Sequence, residues 1–325
     1  MNTDKKKAFC LIRVYPYSSV AILGFFLAGC GSYAEFTLPR LPGGTPPPVY
    51  RFVPQPAPVL TRGEFHDALN PSVSAKTNLY SVFDGRAWQT ALATTEDGLH
   101  WTPRGIVLSP DPRTWEGSYI AANGSLLGDL YWYEAGPKER KHIGLARRQS
   151  QWVKEPGPVL DYGPVASFDE RAVADPYVIR IDPYFYMYYL GQDRAIRQSI
   201  GVARSTDGVH WEKLRSNPVL ALDLDREAGL GEPAVWQSDG FYWMLFTIRN
   251  FDETRELGLA RSTDGVHWTR LAVKYTGDQP WNSKVLCDPS VAVENGVIKV
   301  WFGGGDVASP DENLHGQIGF ATLQK

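Results

Sequence analysis

Downstream of Val49 the apolar positions fall in short, strongly aromatic runs: "LYSVF", "LYWYEA", "YFYMYYLG", "FYWMLFT" and "IKVWFGGG". Asn-Gly, Asp-Gly and Gly-Asp pairs punctuate them, the pattern of strong β formers joined by tight turns. Short apolar segments such as "IGLA", "IGVA" and "LGLA" come next and lead into a repeated motif. That motif, "ARSTDGVHW", occurs letter for letter at Ala203 to Trp211 and at Ala260 to Trp268. A relative, "TTEDGLHW", covers Thr94 to Trp101, and a worn copy, "RRQSQW", covers Arg147 to Trp152. Ahead of each aromatic run sits a further marker: "NPSV" at Asn70, "EGSYI" at Glu116, "DPYVI" at Asp175, "EPAVW" at Glu232 and "DPSVA" at Asp288. The intervals between markers are 46, 59, 57 and 56 residues, which makes five units.

Each unit reads as four short strands: marker, aromatic run, "IGLA"-like segment, and the segment after "DGVHW". Five such units predict an all-β fold, a five-bladed β-propeller with four-stranded antiparallel blades. The last unit lacks a fourth strand, and "VYRFVPQPAPVL" ahead of the first marker resembles a fourth strand without a blade. It is therefore expected to close the ring beside the C-terminal strand. Strands in an antiparallel blade alternate in direction, so the "DGVHW" turn falls on the face opposite the markers. It is expected to be a hairpin device whose Trp covers the outer edge of the blade.

The N-terminal residues carry a different signal. Lys5, Lys6, Lys7 and Arg13 precede "VAILGFFLA", a run too short to span a bilayer as a helix. Leu27, Ala28, Gly29 and Cys30 resemble a bacterial lipobox, which implies a signal peptide over residues 1–30 and lipidation of Cys30. Residues 31–48 are rich in Pro and Gly and read as a semi-rigid linker, with the propeller spanning 49–325. The expectation is an exported monomer held to a bacterial membrane, outer membrane or cell surface, by its lipid alone. With 33 basic and 36 acidic residues the chain has no nucleic-acid-binding balance. Its 11 Trp and 16 Tyr suit both β packing and stacking on sugar rings.

First strands ring a propeller's axis, so Asn70, Glu116, Asp175, Glu232 and Asp288 are expected to converge on one pocket, and four of the five are acids. Hydrolysis of a glycosidic bond needs two carboxyl groups, one protonated and one ionised, roughly 5–5.5 Å apart for retention or roughly 6.5–9.5 Å for inversion. Carboxylates crowded on an axis raise one another's proton affinity, which supplies the acid.

At these markers, over about Val49 to Leu323, the sequence resembles the five-bladed catalytic domains of family 43 and family 32 glycoside hydrolases. The resemblance implies an Asp base or nucleophile on the first blade, a tuning Asp on the second and a Glu acid on the third. This chain departs from that order, with Asn70 first, Glu116 second and Asp175 third. Three arrangements remain open. Asp175 and Glu232 act as base and acid with Asp288 beside them; or Asp288 and Glu116 flank Asn70; or Asp67 replaces the missing base. Trp115, Tyr119, Tyr177 and Trp281 are candidate stacking platforms, and Arg171, Arg194 and Arg249 candidate substrate contacts. No cofactor is called for, although His315 could meet a metal ion on the axis. The leading reading is a hydrolase acting on an oligo- or polysaccharide. The alternatives are a glycan-binding propeller that has lost its base, and a phosphorolytic enzyme in which a single acid works with a basic phosphate site, for which the basic loop Lys138 to Lys141 is the candidate.

Overall fold

The structure, a computed structural model, describes residues 32–45 and 49–325. The signal segment and Cys30 lie outside the described residues. Two short strands, β1 (Ser32–Ala34) and β2 (Arg51–Pro54), precede the blades. Blade 1 is β3 (Asp67–Ser74), β4 (Thr77–Phe83), β5 (Trp88–Thr94) and β6 (Thr102–Leu108). Blade 2 is β7 (Ile120–Leu127), β8 (Leu130–Gly136), β9 (His142–Arg148) and β10 (Trp152–Lys154). Blade 3 is β11 (Ala172–Ile181), β12 (Tyr184–Gln192), β13 (Gln198–Ser205) and β14 (Glu212–Leu214). Blade 4 is β15 (Gly229–Ser238), β16 (Phe241–Arg249), β17 (Arg255–Ser262) and β18 (Thr269–Tyr275). Blade 5 is β19 (Val285–Glu294), β20 (Val297–Gly305) and β21 (Gln317–Gln324), and its fourth strand is β2. Arg51 pairs with Gln324 and Pro54 with Ala321, antiparallel, so the ring closes as the sequence predicts.

One device recurs in every first strand. The pairing with the second strand breaks at Asn70, Asn123, Asp175, Glu232 and Asp288, each followed by Pro or Gly. At each of these five residues the backbone is left-handed, with φ of 47°, 48°, 46°, 52° and 52°. A bulge of this kind re-aims a side chain out of the sheet, and the following proline loses no ladder hydrogen bond because the bulge makes none there. Holding five non-glycine residues in this region costs about 1–3 kcal/mol each, so packing around the axis must impose it. The second-blade marker is thus Asn123, not Glu116. A serine two residues after three of the markers accepts a backbone N–H from the next blade: Ser72 from Leu126, Ser125 from Val178 and Ser290 from Val73.

The repeated turn joins blades to one another. In each intact copy Asp97, Asp207 or Asp264 accepts two backbone N–H groups of the following residues, and the motif Trp donates to the turn glycine's carbonyl. The same carbonyls also accept a donor from the second strand of the preceding blade. Trp301 reaches Gly98 at 2.8 Å, Trp132 reaches Gly208 at 2.8 Å and the Tyr188 hydroxyl reaches Gly265 at 2.7 Å. The corresponding second-strand residue of blade 1 is Leu79, which packs beside Trp152 of the worn copy, and that of blade 4 is Leu245, near Phe52. Turn and donor are therefore kept together or lost together. The motif Trp sits between blades, edge-to-face on Trp301, Trp132 or Tyr188, and not on the outer edge as expected from sequence. Trp132→Phe, which deletes one such donor in a fully buried site, is expected to cost about 1–3 kcal/mol. A lowered urea midpoint with an unchanged m-value would show it.

The segment read as a semi-rigid linker is strapped to the propeller. β1 adds a parallel strand to the outer edge of blade 3, Ser32 beside Glu212. Leu38, Leu41 and Gly43 then donate backbone N–H groups to Asp264, Thr263 and Gly240. Leu38 is buried to 1% exposure against the blade 3 and blade 4 core. Its proline-rich composition suits this extended, edge-lying path as well as it suits a stalk.

Candidate active site

The marker side chains surround a pocket of about 260 Å³ at the end of the axis where the first strands begin. A cavity of about 30 Å³, lined by the bulge prolines and Tyr177, lies on the other side of the same five residues. None of the repeated-turn residues lines either space.

Two hydrogen-bonded groups make up the floor. In the first, Asn70 Nδ2 donates to Asp288 Oδ1 at 2.7 Å, and the Cys287 thiol donates to Asp288 Oδ2 at 3.1 Å. The backbone N–H of Asp288 donates to Glu232 Oε2 at 3.1 Å and to Thr247 Oγ1 at 3.2 Å. In the second, Asn123 Nδ2 bridges Asp175 Oδ1 at 3.4 Å and Glu134 Oε2 at 3.3 Å, and Lys141 Nζ meets Glu134 Oε1 at 2.6 Å. Burial, reinforced by the charges of Glu134 and Glu232, holds the Asp175 carboxyl well above the usual carboxylate range against the pull of Lys141. Burial and Glu232 do the same to Asp288. The Cys287 thiol is likewise pushed up, first by burial and then by Asp288, so it is a hydrogen-bond donor and not a thiolate. Glu232, Cys287 and Asp288 present ligand atoms within 4.8 Å of one another, which is compact enough for a metal ion.

Asn70, Asp175, Glu232 and Asp288 thus meet as expected, and Tyr119, Arg171 and Arg249 line the wall. Glu116 does not reach the pocket. It lies in the loop before β7, accepting from the Tyr133 hydroxyl, Lys154 Nζ and the backbone of Asp111. Asp67 is also structural: it is fully buried and accepts the backbone N–H groups of Asn313 and Gly316. Two of the three arrangements open in the sequence therefore fall. Arg194 is exposed and pairs with Glu170 at 3.2 Å, away from the pocket. Trp115 packs against His142, Trp281 stacks on Phe302, and Tyr177 donates to the Val291 carbonyl beneath the ring, so none of the three is a wall of the upper pocket. His315 pairs with Asp306 at 2.8 Å and does not line the axis.

Asn123, Glu134, Trp88 and Arg255 are pocket residues that the sequence reading passed over, whereas Lys138 and Lys141 bound the basic loop named for the phosphorolytic alternative. For Asn123 a signal existed: "NGS" matches "NPS" and "DPS", and using it gives intervals of 53, 52, 57 and 56, more regular than with Glu116. Glu134 is concealed inside the aromatic run of β8, where period-2 alternation buries side chains on both faces of the blade.

The profile described as the glycosyl hydrolases family 32 N-terminal domain matches residues 77–288, from the second strand of blade 1 to the marker of blade 5. The chain belongs to that family. Uncharacterized protein Rv1502 of Mycobacterium tuberculosis (strain ATCC 25618 / H37Rv) is 30% identical over 155 residues, 45% of this chain and 52% of the relative. The chain spans about half the length of the curated relatives it matches. Among solved structures the family 32 domain is similar to an alpha-L-arabinofuranosidase from Lactobacillus brevis (TM-score 0.62, 12% identity, 82% of this chain and 91% of that one). It is similar to a thermostable family-43 glycoside hydrolase (0.57, 16%, 79% and 89%). It is also similar to a member of the family of mannoside phosphorylases containing glycoside hydrolases that target β-1,2 mannosidic linkages in Candida mannan (0.62, 15%, 86% and 96%). These structures share the propeller fold with this family 32 domain.

Proposed function

We propose that the protein is a glycosidase acting on an oligo- or polysaccharide, with Asp175 as general acid and Glu232 as the ionised base or nucleophile. The observation that carries this reading is the convergence of Asp175, Glu232 and Asp288 on one pocket floor, where three close carboxyls cannot all ionise. Among the described residues Asp175 meets one hydrogen-bond donor, the Asn123 amide, and burial favours its protonated form, as an acid requires. Asp288 is engaged by Asn70 and Cys287, and its backbone holds Glu232, so it positions the pair. These assignments reverse the base and acid roles expected from sequence. A screen of the full chain in detergent against aryl glycosides and polysaccharides, with Asp175→Asn, Glu232→Gln and Asp288→Asn variants, tests them. Activity untouched by all three substitutions would remove the assignment.

One observation favours a second reading, a glycan-binding propeller without turnover. Two of the five axial markers, Asn70 and Asn123, are amides that cannot transfer a proton as a base. Saturable glycan binding without product on every substrate would establish it.

The location proposed is a bacterial membrane, through a lipid on Cys30. Cys30→Ser is expected to abolish labelling by radioactive palmitate and to move the protein from the membrane to the soluble fraction; retained labelling would refute the anchor.

A further inference from the structure

Five cationic side chains line the pocket, and four have carboxylate partners: Lys138 with Asp311 and Glu312, Lys141 with Glu134, Arg171 with Glu139, and Arg249 with Glu253. Among the described residues no carboxylate lies within ion-pairing distance of Arg255. One of its nitrogens, Nη2, donates to the carbonyls of Ser309 and Pro310 at 3.2 and 2.6 Å. Those bonds fix the guanidinium while leaving Nε and Nη1 without a hydrogen-bond partner among the described residues, although the group can donate five bonds.

Its position sharpens the point. Arg249, the last residue of β16, and Arg255, the first of β17, are directly opposite one another in the antiparallel ladder. Like charges so placed destabilise a sheet. Glu253 answers the charge of Arg249 and nothing answers that of Arg255 at close range. Glu232, Asp288 and Asp311 attract Arg255 only from beyond contact; the Asp288 carboxyl is already occupied by Asn70 and Cys287, and Asp311 pairs with Lys138.

We propose that this pocket binds an oxyanion, a carboxylate or phosphate group, on the guanidinium of Arg255, with Arg249 across the ladder and Glu232 and Asp288 adjacent. A planar guanidinium fork held by backbone carbonyls is preorganised for two-point recognition of such a group. Because it concerns the same pocket, the inference rests on the glycan reading above and narrows it: the oxyanion is either a substituent of the sugar, as in a uronic acid, or free phosphate held beside the reacting carbohydrate.

Calorimetric titration of the full chain in detergent, at constant ionic strength, separates these cases. The probes are matched pairs, glucuronate with glucose, galacturonate with galactose and mannuronate with mannose, together with inorganic phosphate. The expected result is a preference of about tenfold or more for at least one uronate over its neutral partner, or saturable phosphate binding. Arg255→Gln should weaken that binding about 10–100-fold and Arg255→Lys less, with affinity for the neutral sugars unchanged. Uronate preference without phosphate binding assigns the site to the sugar; phosphate binding alone assigns it to free phosphate. Neutral sugars bound as well as uronates with no phosphate binding, or anion binding indifferent to Arg255→Gln, would overturn the proposal and leave the glycan reading standing. No binding by any probe would overturn both. The preference of the wild-type chain decides the matter even where the Gln variant fails to fold.

Discussion

Asp175→Asn lowers turnover of glycosides with poor leaving groups by about 10²–10⁴-fold and spares those with good ones. The reason is the leaving oxygen: a sugar or alkoxide departs only with a proton from the acid, whereas a nitrophenolate needs none. Glu232→Gln should fall by a comparable factor on both kinds of substrate, because the base or nucleophile is required whatever leaves. The pH profile carries the sign. Asp175 works protonated, and burial with the fields of Glu134 and Glu232 raises its proton affinity, so the alkaline limb lies above the range of an ordinary aspartate. Lys141 opposes the shift at Asp175, so Lys141→Met moves the alkaline limb to higher pH. Stability moves the other way from activity. A carboxyl whose folded-state proton affinity is raised supports folding below its unfolded value and loses that support as pH rises through the folded one. Asp175→Asn is therefore expected to raise the melting temperature at neutral and alkaline pH while removing activity. Equal loss on all leaving groups, or a lowered melting temperature at pH 8, would mark Asp175 as structural.

The blade count and ring closure were legible because identical turns and aromatic runs repeat, and repetition reports the positions where every blade solves the same packing problem. The "DGVHW" copies show this. Each must present a glycine carbonyl to a Trp or Tyr of the preceding blade, and where Leu79, which has no donor, takes that place the turn has decayed to "RRQSQW". The pocket was half legible. Asp175, Glu232 and Asp288 carry a proline after the acid, and the bulge that aims them is written in that dipeptide. Blade 2 offered both "EGS" at Glu116 and "NGS" at Asn123, and charge favoured the wrong one. The difference is one of register. Glu116 precedes the first strand, where its carboxylate is met by Lys154 and Tyr133, and a seven-residue shift in phase is invisible without pairing partners. Lys141 was visible only as one residue of the basic loop Lys138 to Lys141, and Arg255 could not be read at all: it sits at a strand beginning that looks like any polar boundary, and its meaning comes from which neighbours do or do not neutralise it.

Lys213→Met is expected to destabilise the protein by about 3–5 kcal/mol. Lys213 lies on β14 of blade 3 with 4% of its side chain exposed, and Asp169, its partner at 2.5 Å, has 1%. Its ammonium also donates to the Asp161 carbonyl at 2.6 Å, and Asp169 accepts from Ser167 and from the Tyr189 hydroxyl. Burial is strong enough to depress the lysine's proton affinity even with Asp169 beside it. Two groups taken out of water in this way contribute little net stability as a pair, since the cost of desolvation cancels most of their attraction. Removing only the cation leaves a carboxylate with hydrogen bonds to two hydroxyls and no counter-charge in a site closed to solvent. The double variant Lys213→Met/Asp169→Leu, which removes both charges, should recover most of the loss, and Asp169→Asn alone should resemble the lysine variant. Urea midpoints for the four proteins form a double-mutant cycle whose coupling energy is the quantity sought. A cycle that closes to within about 0.5 kcal/mol would mean that water reaches this pair and that blade 3 does not depend on it.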